Sequence, residues 1–241
     1  MKFARILYSS VLAGIVMAIG YISSVAVLNE SKFAGALLFS IGLIAVFSMD
    51  LHLFTARAGA IYDDNRRIDK KVGALILTLF GNVVGAAIVG VASYGMHLEE
   101  TTQIMRMKNE HDVIYIFASS LICGMLIYIA YRCYRRAEGN VSGIMTVILA
   151  SAAISFCNFE YGIANVAFFA KTFVFVPFAF VYICFSMLGN LVGALALSTL
   201  YELKKSAEAE RKHHHRHHHK HHSSHSKTEA VKDAEETPSE K

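Results

Sequence analysis

Charge is scarce in this chain of 241 residues: Asp, Glu, Lys and Arg together make up 17 %, against 54 % hydrophobic residues. A soluble domain carries about 25 % charged residues. The deficit argues against a soluble enzyme, an extracellular disulfide module and a nucleic-acid binder alike. A net charge of +4 is too small for a surface that grips a polyanion, so no nucleic-acid partner is expected. Proline is nearly absent. Pro177 and Pro238 are the only two, and neither follows an Asn, so the paired Asn-Pro-Ala boxes of a water channel are missing. The four cysteines, Cys123, Cys133, Cys157 and Cys184, stand apart in apolar surroundings. That spacing excludes a zinc knuckle or a redox pair and leaves them as small hydrophobes. There is no nucleophile–base spacing, histidine box or cofactor loop, so neither catalysis nor a cofactor is expected. A cleavable leader is not expected either: Lys2 and Arg5 precede an apolar run long enough to span a bilayer, and a second run follows closely.

What the chain has in abundance is long uncharged segments. A bilayer core needs about 20 apolar residues per helix. Residues 6–28, 72–96, 113–131 and 172–201 are uncharged throughout. Two further segments are interrupted. Residues 33–49 are uncharged, then Asp50, His52 and Arg57 break a stretch that stays apolar to Tyr62; residues 141–159 are uncharged, then Glu160 breaks a stretch that stays apolar to Ala170. The pattern predicts an all-α integral membrane protein with six transmembrane helices, the second and fifth interrupted, over residues 1–203. Lys2, Arg5, Arg66, Arg67, Lys70, Lys71, Arg132, Arg135, Arg136, Lys204 and Lys205 all fall on one side, against Lys32, Arg106, Lys108 and Lys171 on the other. Basic loops face the cytoplasm. Both termini are therefore expected there, in a multi-pass protein of the plasma (inner) membrane, and an even number of spans agrees.

Two segments echo each other: Leu79-Phe80-Gly81-Asn82-Val83-Val84-Gly85-Ala86 and Met187-Leu188-Gly189-Asn190-Leu191-Val192-Gly193-Ala194. The offset that carries Asn82 onto Asn190 is 108 residues, and it also carries Gly35 onto Gly143, Asp50 onto Asn158, His52 onto Glu160 and Ala56 onto Ala164. Spans two and three match spans five and six without a gap. Spans one and four show no match in that register. Three spans per copy is an odd number, so the copies enter the membrane in opposite directions, which predicts two inverted three-helix repeats. Inverted repeats place a permeation site near the midplane, and paired interrupted helices are the best pointer to it. Gly81, Asn82, Gly85, Gly189, Asn190 and Gly193 are assigned to close helix packing through small residues.

The interruptions themselves read Ser48-Met49-Asp50-Leu51-His52-Leu53-Phe54-Thr55-Ala56-Arg57 and Cys157-Asn158-Phe159-Glu160-Tyr161-Gly162-Ile163-Ala164-Asn165. Ionisable groups at membrane depth normally face a bundle interior or a cavity. Half-helix N-termini expose backbone N–H groups and favour anions. Non-helical backbone at that depth lines a cavity or is buried in protein. One reading is a pore for a small anion. The other is that Asp50, His52 and Glu160 cap helix ends and pair with one another, and that Arg57 snorkels to the surface.

Phe33-Ala34-Gly35-Ala36-Leu37-Leu38-Phe39-Ser40-Ile41-Gly42-Leu43 followed by Leu53-Phe54-Thr55 resembles the second span of the formate/nitrite transporter family. Gly81-Asn82-x-x-Gly85 resembles that family's third span, Phe159-Glu160-Tyr161-x-x-Ala164-Asn165 its fifth, and Leu188-Gly189-Asn190-x-x-Gly193 its sixth. The likeness runs in order over roughly residues 5–203. It implies an aquaporin-like protomer inside a homopentamer in the bilayer, with one pore per protomer, passing formate, nitrite, hydrosulfide or a related weak-acid anion, with or without a proton. It also implies an outer constriction of Phe39, Leu43 and Ile154 and an inner one of Leu53, Phe54 and Cys123. The pore centre would hold Tyr161, Glu160, His52, Thr55 and Asn165, with Thr55 offering its hydroxyl to the ion. Without the resemblance, the six apolar residues read as ordinary helix packing.

The departures from the family pattern are informative. The family's central His is Tyr161 here, its Glu before Leu-Phe-Thr is His52, its Asn two residues after that Thr is Arg57, and its fourth-span Asn falls at Ser120. An imidazole titrates near pH 6.5 and can share a proton with a weak acid; a phenol titrates near pH 10 and donates only a hydrogen bond. Either the imidazole has moved to the other repeat, with His52 paired to Glu160 or Asp50, or the pore is neutral and relies on backbone N–H groups, Tyr161 and Thr55.

Residues 204–241 are polar and low in complexity, a composition that cannot bury a core and predicts disorder. His213, His214, His215, His217, His218 and His219 belong to a histidine tract that can bind divalent metal. The alternative function is therefore a divalent-metal transporter fed by that tail, although the spans offer only Asp50, His52 and Glu160 as ligands. A solvated cytoplasmic tail is the plainer reading.

Overall fold

A computed structural model describes residues 2–63, 66–174 and 177–235, with side chains described from Phe3 to Ala209 within those ranges and for Arg211. The described residues are helical almost throughout: α1 (Lys2–Ala26), α2 (Lys32–Ser48), α3 (Phe54–Gly59), α4 (Ile68–Ala92), α5 (Leu98–Glu110), α6 (Val113–Arg136), α7 (Val141–Phe156), α8 (Gly162–Thr172) and α9 (Pro177–Glu235). Starts are set by short polar side chains. Ser31 Oγ accepts the Ala34 amide (3.2 Å), Asp112 Oδ1 the Tyr115 amide (2.7 Å) and Asn140 Oδ1 the Ser142 amide (3.1 Å), each satisfying an orphan N–H of a first turn.

Four helices are long and apolar enough to cross a membrane: Phe3–Ala26, Ile68–Ala92, Val113–Arg136 and Pro177–Ala209. The two interrupted segments give the shorter apolar helices α2 and α7, of 17 and 16 residues. At ~1.5 Å per residue each is about 25 Å long, short of a hydrocarbon core of ~30 Å. Each is continued beyond its break by a second short helix, α3 or α8.

α1 packs on α4 and α2, α6 on α7, α2 on α7, and α4 on α8. The predicted packing glycines sit where backbones touch. A Cβ on Gly85 would meet the Val11 carbonyl oxygen at 2.1 Å, and one on Gly193 the Leu121 carbonyl oxygen at 1.9 Å. Gly14 and Gly124, which the motif reading did not single out, lie equally close to the backbones of Asn82 and Asn190, with the same 2.2 Å clash for an added Cβ. Small residues permit that approach. α1 and α6 therefore do correspond, but at an offset of 110 residues (Gly14 onto Gly124, Val11 onto Leu121) rather than the 108 of the other helices. A two-residue difference hides the match from any single register.

Residues up to Ser198 form one compact unit, and the remainder of the chain a second. Helix α9 runs from Pro177 to Glu235. The stretch after Leu200 is rich in Glu, Lys and Ala, which are strong helix formers, and carries helix-spaced ion pairs, Lys204–Glu208 (3.5 Å) and Lys205–Glu202 (3.4 Å). One long helical element therefore carries both apolar and polar character.

Candidate functional site

The two breaks share one backbone plan. After α2 the chain turns with Asp50 at φ +50°, and after α7 with Asn158 at φ +52°. Asp and Asn are among the few non-glycine residues that visit this left-handed region readily. In each turn the next amide reaches back to close the helix end: Leu51 N–H to the Val46 carbonyl (2.9 Å) and Phe159 N–H to the Ile154 carbonyl (2.9 Å). This is the glycine-type C-terminal motif built on an acid and its amide.

A single asparagine then latches each break. Asn82 Oδ1 accepts from the Phe54 amide (2.7 Å), while its Nδ2 donates to the carbonyls of Ser10 (2.7 Å) and His52 (2.9 Å). Asn190 Oδ1 accepts from the Gly162 amide (2.8 Å), while its Nδ2 donates to the carbonyls of Ser120 (2.8 Å) and Glu160 (3.1 Å). The His52 and Glu160 amides donate to the hydroxyls of Ser9 and Ser119, both at 3.0 Å. Both asparagines are fully buried. They satisfy backbone groups that a broken helix would otherwise leave orphaned at depth. Their role is thus larger than the packing assigned from the motif.

The side chains at the breaks diverge. Glu160 sits in a closed network. Lys108 Nζ donates to Glu160 Oε2 (2.7 Å) and to Asn165 Oδ1 (2.8 Å), and the Tyr182 hydroxyl donates to Glu160 Oε1 (2.6 Å). Lys108 and Glu160 are each 7 % exposed at the side chain. His52 instead places Nδ1 2.8 Å from the Ser9 hydroxyl. The expected pairing of His52 with Glu160 or Asp50 is therefore corrected: Glu160 is taken by Lys108, and Asp50 pairs with Arg57 (3.2 Å) and Arg135 (3.4 Å). The reason is geometric, since the equivalence of His52 and Glu160 is one of backbone position and their side chains border different cavities. The alternative in which the three ionisable residues pair among themselves fails for the same reason.

One cavity, of about 340 Å³, opens beside the α1–α2 turn and α5 and is lined by Phe39, Ile154, Glu160, Tyr161, Asn165 and residues of α5. A second, of about 420 Å³, opens beside the α3–α4 turn and is lined by His52, Arg57, Thr78, Tyr131 and Arg135 among others. Leu43, Leu53, Phe54, Thr55 and Cys123 are buried and line neither. Phe39 meets Tyr161 edge-on, with ring centroids 6.3 Å apart. Thr55, Tyr161 and Cys123 are neighbours in this core. The hydroxyls of Thr55 and Tyr161 face each other, yet neither they nor Ser151 Oγ and Asn165 Nδ2, all buried, meet hydrogen-bond geometry with any partner among the described residues. Buried polar groups are nearly always satisfied, so such a cluster singles out a place where something polar binds.

Lys108, Tyr182 and His111 were not found from the sequence. Their signal was present for Lys108: α5 carries Thr101, Ile104, Met105 and Lys108 on one helical stripe, with a lysine where an apolar residue belongs. Lys171, another cation in a predicted loop, is also buried; it donates to the carbonyls of Ser93 (3.1 Å) and Met96 at the end of α4. No group of three or more metal-ligating side chains occurs among the described residues. The side chains of His213, His214, His215, His217, His218 and His219 lie outside them.

Apolar membrane-length helices, two latched breaks and a cavity on either side of a buried core define an integral membrane channel or transporter. The chain matches the family model for the formate/nitrite transporter over residues 1–213, and it belongs to that family. It is 27 % identical over 213 residues to the uncharacterized transporter YrhG of Bacillus subtilis (strain 168), covering 76 % of this chain and 77 % of that protein. In fold it is similar to a pentameric formate channel solved with formate bound, with a TM-score of 0.73 and 20 % identity over 86 % of this chain and 98 % of that one. It is also similar to an ion channel of the same family, with a TM-score of 0.75 and 16 % identity over 84 % of this chain and 90 % of that one.

Proposed function

We propose that this protein passes small monovalent anions of weak acids, of the formate or nitrite kind, through a pore within each protomer of a homopentamer. The reading takes the six spans as two inverted three-helix repeats, with the α5-side cavity as the outer vestibule and both termini cytoplasmic. The observation that carries it is the pair of orphan hydroxyls, Thr55 and Tyr161. Both are buried, in the core that also holds Phe39, Leu43, Ile154, Leu53, Phe54 and Cys123, which the reading takes as an outer and an inner apolar ring. Apolar rings exclude water and hydrated cations, and two neutral donors receive an ion that has shed part of its shell. The N-terminus of α8 adds first-turn amides that have no helical acceptor. With a phenol in place of the family's imidazole, the position of Tyr161 offers a hydrogen bond and no proton exchange near neutrality. The pentamer of the similar formate channel supports the assembly.

The test is flux into proteoliposomes. Formate, nitrite, hydrosulfide, acetate, lactate and bicarbonate are compared at two pH values, with Zn²⁺ and water as controls. Small anions are expected to pass, and Tyr161→Phe and Thr55→Val are each expected to reduce the rate about 10- to 100-fold, the worth of a hydrogen bond to a charged group. Transport of Zn²⁺ without any anion would overturn the reading.

A further inference from the structure

We propose that His111 is the protonation site of this pathway, and that with Lys108 it forms a pH-gated binding site for monovalent weak-acid anions in the α5-side cavity. The inference rests on the anion-pathway reading above and deepens it.

His111 closes the turn between α5 and α6 and lines the cavity, with its side chain 18 % exposed. Its ring stacks on Tyr115 with centroids 4.0 Å apart, which fixes its plane. Nδ1 lies 2.7 Å from the Tyr182 hydroxyl, and that hydroxyl donates to Glu160 Oε1 at 2.6 Å. A phenol has one proton. Since it goes to the carboxylate, Nδ1 must be the donor in its own bond. Nδ1 also lies 3.5 Å from Glu160 Oε1 itself. The neutral ring is thereby held as the Nδ1–H tautomer, with the Nε2 lone pair left for a proton from solvent. An added proton has its countercharge waiting: the chain His111–Tyr182–Glu160 delivers the imidazolium's field to a buried carboxylate.

The charges around the ring make the switch matter. The ionisable groups lining this cavity are Lys32 from the start of α2, Lys108 and Glu110 from α5, and Glu160 from the α7–α8 break, two cations against two anions. Tyr21 of α1, Tyr115 of α6, Tyr161 and Tyr182 contribute phenols that remain neutral near physiological pH, and Asp112 beside His111 is occupied as the cap of α6. With neutral His111 the lining is balanced. With the imidazolium it carries an excess positive charge next to Lys108, in a site largely shielded from water, where a charge acts over a longer reach. Histidine is the side chain that changes charge between about pH 5 and 8. The other cavity is lined by His52 together with Arg57, Arg66, Lys71 and Arg135, so the two mouths differ in kind.

The experiment is equilibrium exchange of labelled formate across full-length protein in vesicles. The pH is equal on both sides and set between 5 and 8, and leak through protein-free vesicles is subtracted. In the wild type the exchange is expected to rise on the order of tenfold from pH 8 to pH 5.5, following the imidazolium fraction. His111→Gln is expected to flatten that rise to within about twofold, and His111→Lys to hold exchange at its acid-side level up to pH 8. Tyr182→Phe, which removes the acceptor that supports the charged ring, is expected to move the midpoint down by about one pH unit. These two variants keep the inference testable if His111→Gln does not fold. A pH curve unchanged in His111→Gln or in His111→Lys, or a flat wild-type curve, overturns the role of His111 and leaves the pathway standing. No formate exchange by the wild type above protein-free vesicles at any pH overturns the pathway reading, and this inference with it.

Discussion

The break after α2 and the break after α7 hold their backbones in the same way and use their side chains in opposite ways. In both, a left-handed Asp or Asn turns the chain, an asparagine three contacts deep secures the carbonyl of the next-but-one residue, and a serine hydroxyl takes that residue's amide. At Glu160 the side chain is then sealed in a network with Lys108, Asn165 and Tyr182. At His52 it stands beside a cavity lined by Arg57 and Arg135, and the local ion pair, Arg57–Asp50, is 29 % and 63 % exposed. One backbone plan carries two kinds of side chain: one break anchors charge in the interior, the other presents it to solvent.

The largest expected effect attacks the anchored side. Lys108→Met strips Glu160 of its cation and Asn165 of its donor while both remain buried, a change that destabilises by about 3–5 kcal/mol when one partner of a buried pair is lost. Thermal unfolding of the purified protein should record it as a marked fall in Tm. Next come the latches. Asn82→Leu and Asn190→Leu each remove three buried hydrogen bonds and are expected to destabilise by about 2–4 kcal/mol. The informative result is that the two agree; a large difference between them would mean that the breaks are not held equivalently.

The glycines under the latches give a third pair. Gly14→Ala and Gly124→Ala drive a methyl group into the Asn82 and Asn190 carbonyls, each at 2.2 Å. Overpacking of this kind costs about 1–3 kcal/mol, again in matched amounts, as unfolding measurements on the two variants would show. A smaller effect belongs to the exposed ion pair. Arg57→Met is expected to cost less than about 1 kcal/mol, because solvent already screens the Arg57–Asp50 contact. Measured beside Lys108→Met, it separates the two breaks by stability alone.

Much of this was legible from residue patterns. The apolar runs, their two polar interruptions and the Gly-Asn-x-x-Gly pair identify the helices, the breaks and the family, because hydrophobic length and close backbone approach are local requirements that each stretch of chain must meet by itself. The correspondence of α1 with α6 was hidden by its different offset. The partner of Glu160 was hidden more deeply. Lys108 lies 52 positions away, on a helix whose polar composition reads as a loop, and only tertiary packing carries it inward. That the buried hydroxyls of Thr55 and Tyr161 meet no hydrogen-bond partner is a property of three-dimensional surroundings that spacing does not encode. His52 and Glu160 illustrate the converse: a shared sequence offset marks equivalent backbone position and not contact between side chains.

The smallest expected effect is therefore at His52, and it is the sharpest contrast with His111. Both imidazoles line a cavity, and both hydrogen-bond through Nδ1 to a hydroxyl. What differs is the charge they would add to. The cavity beside His52 already holds Arg57, Arg66, Lys71 and Arg135 against Asp63, so one further positive charge changes an excess that is present at every pH. The cavity beside His111 is balanced, so the same charge creates an excess where there was none. His52→Gln is accordingly expected to alter labelled-formate exchange by less than about twofold anywhere between pH 5 and 8, since one more cation among several adds little to the local potential. A loss of the wild-type pH response in His52→Gln, with the response intact in His111→Gln, would reverse the assignment and give the titrating role to the solvent-facing break.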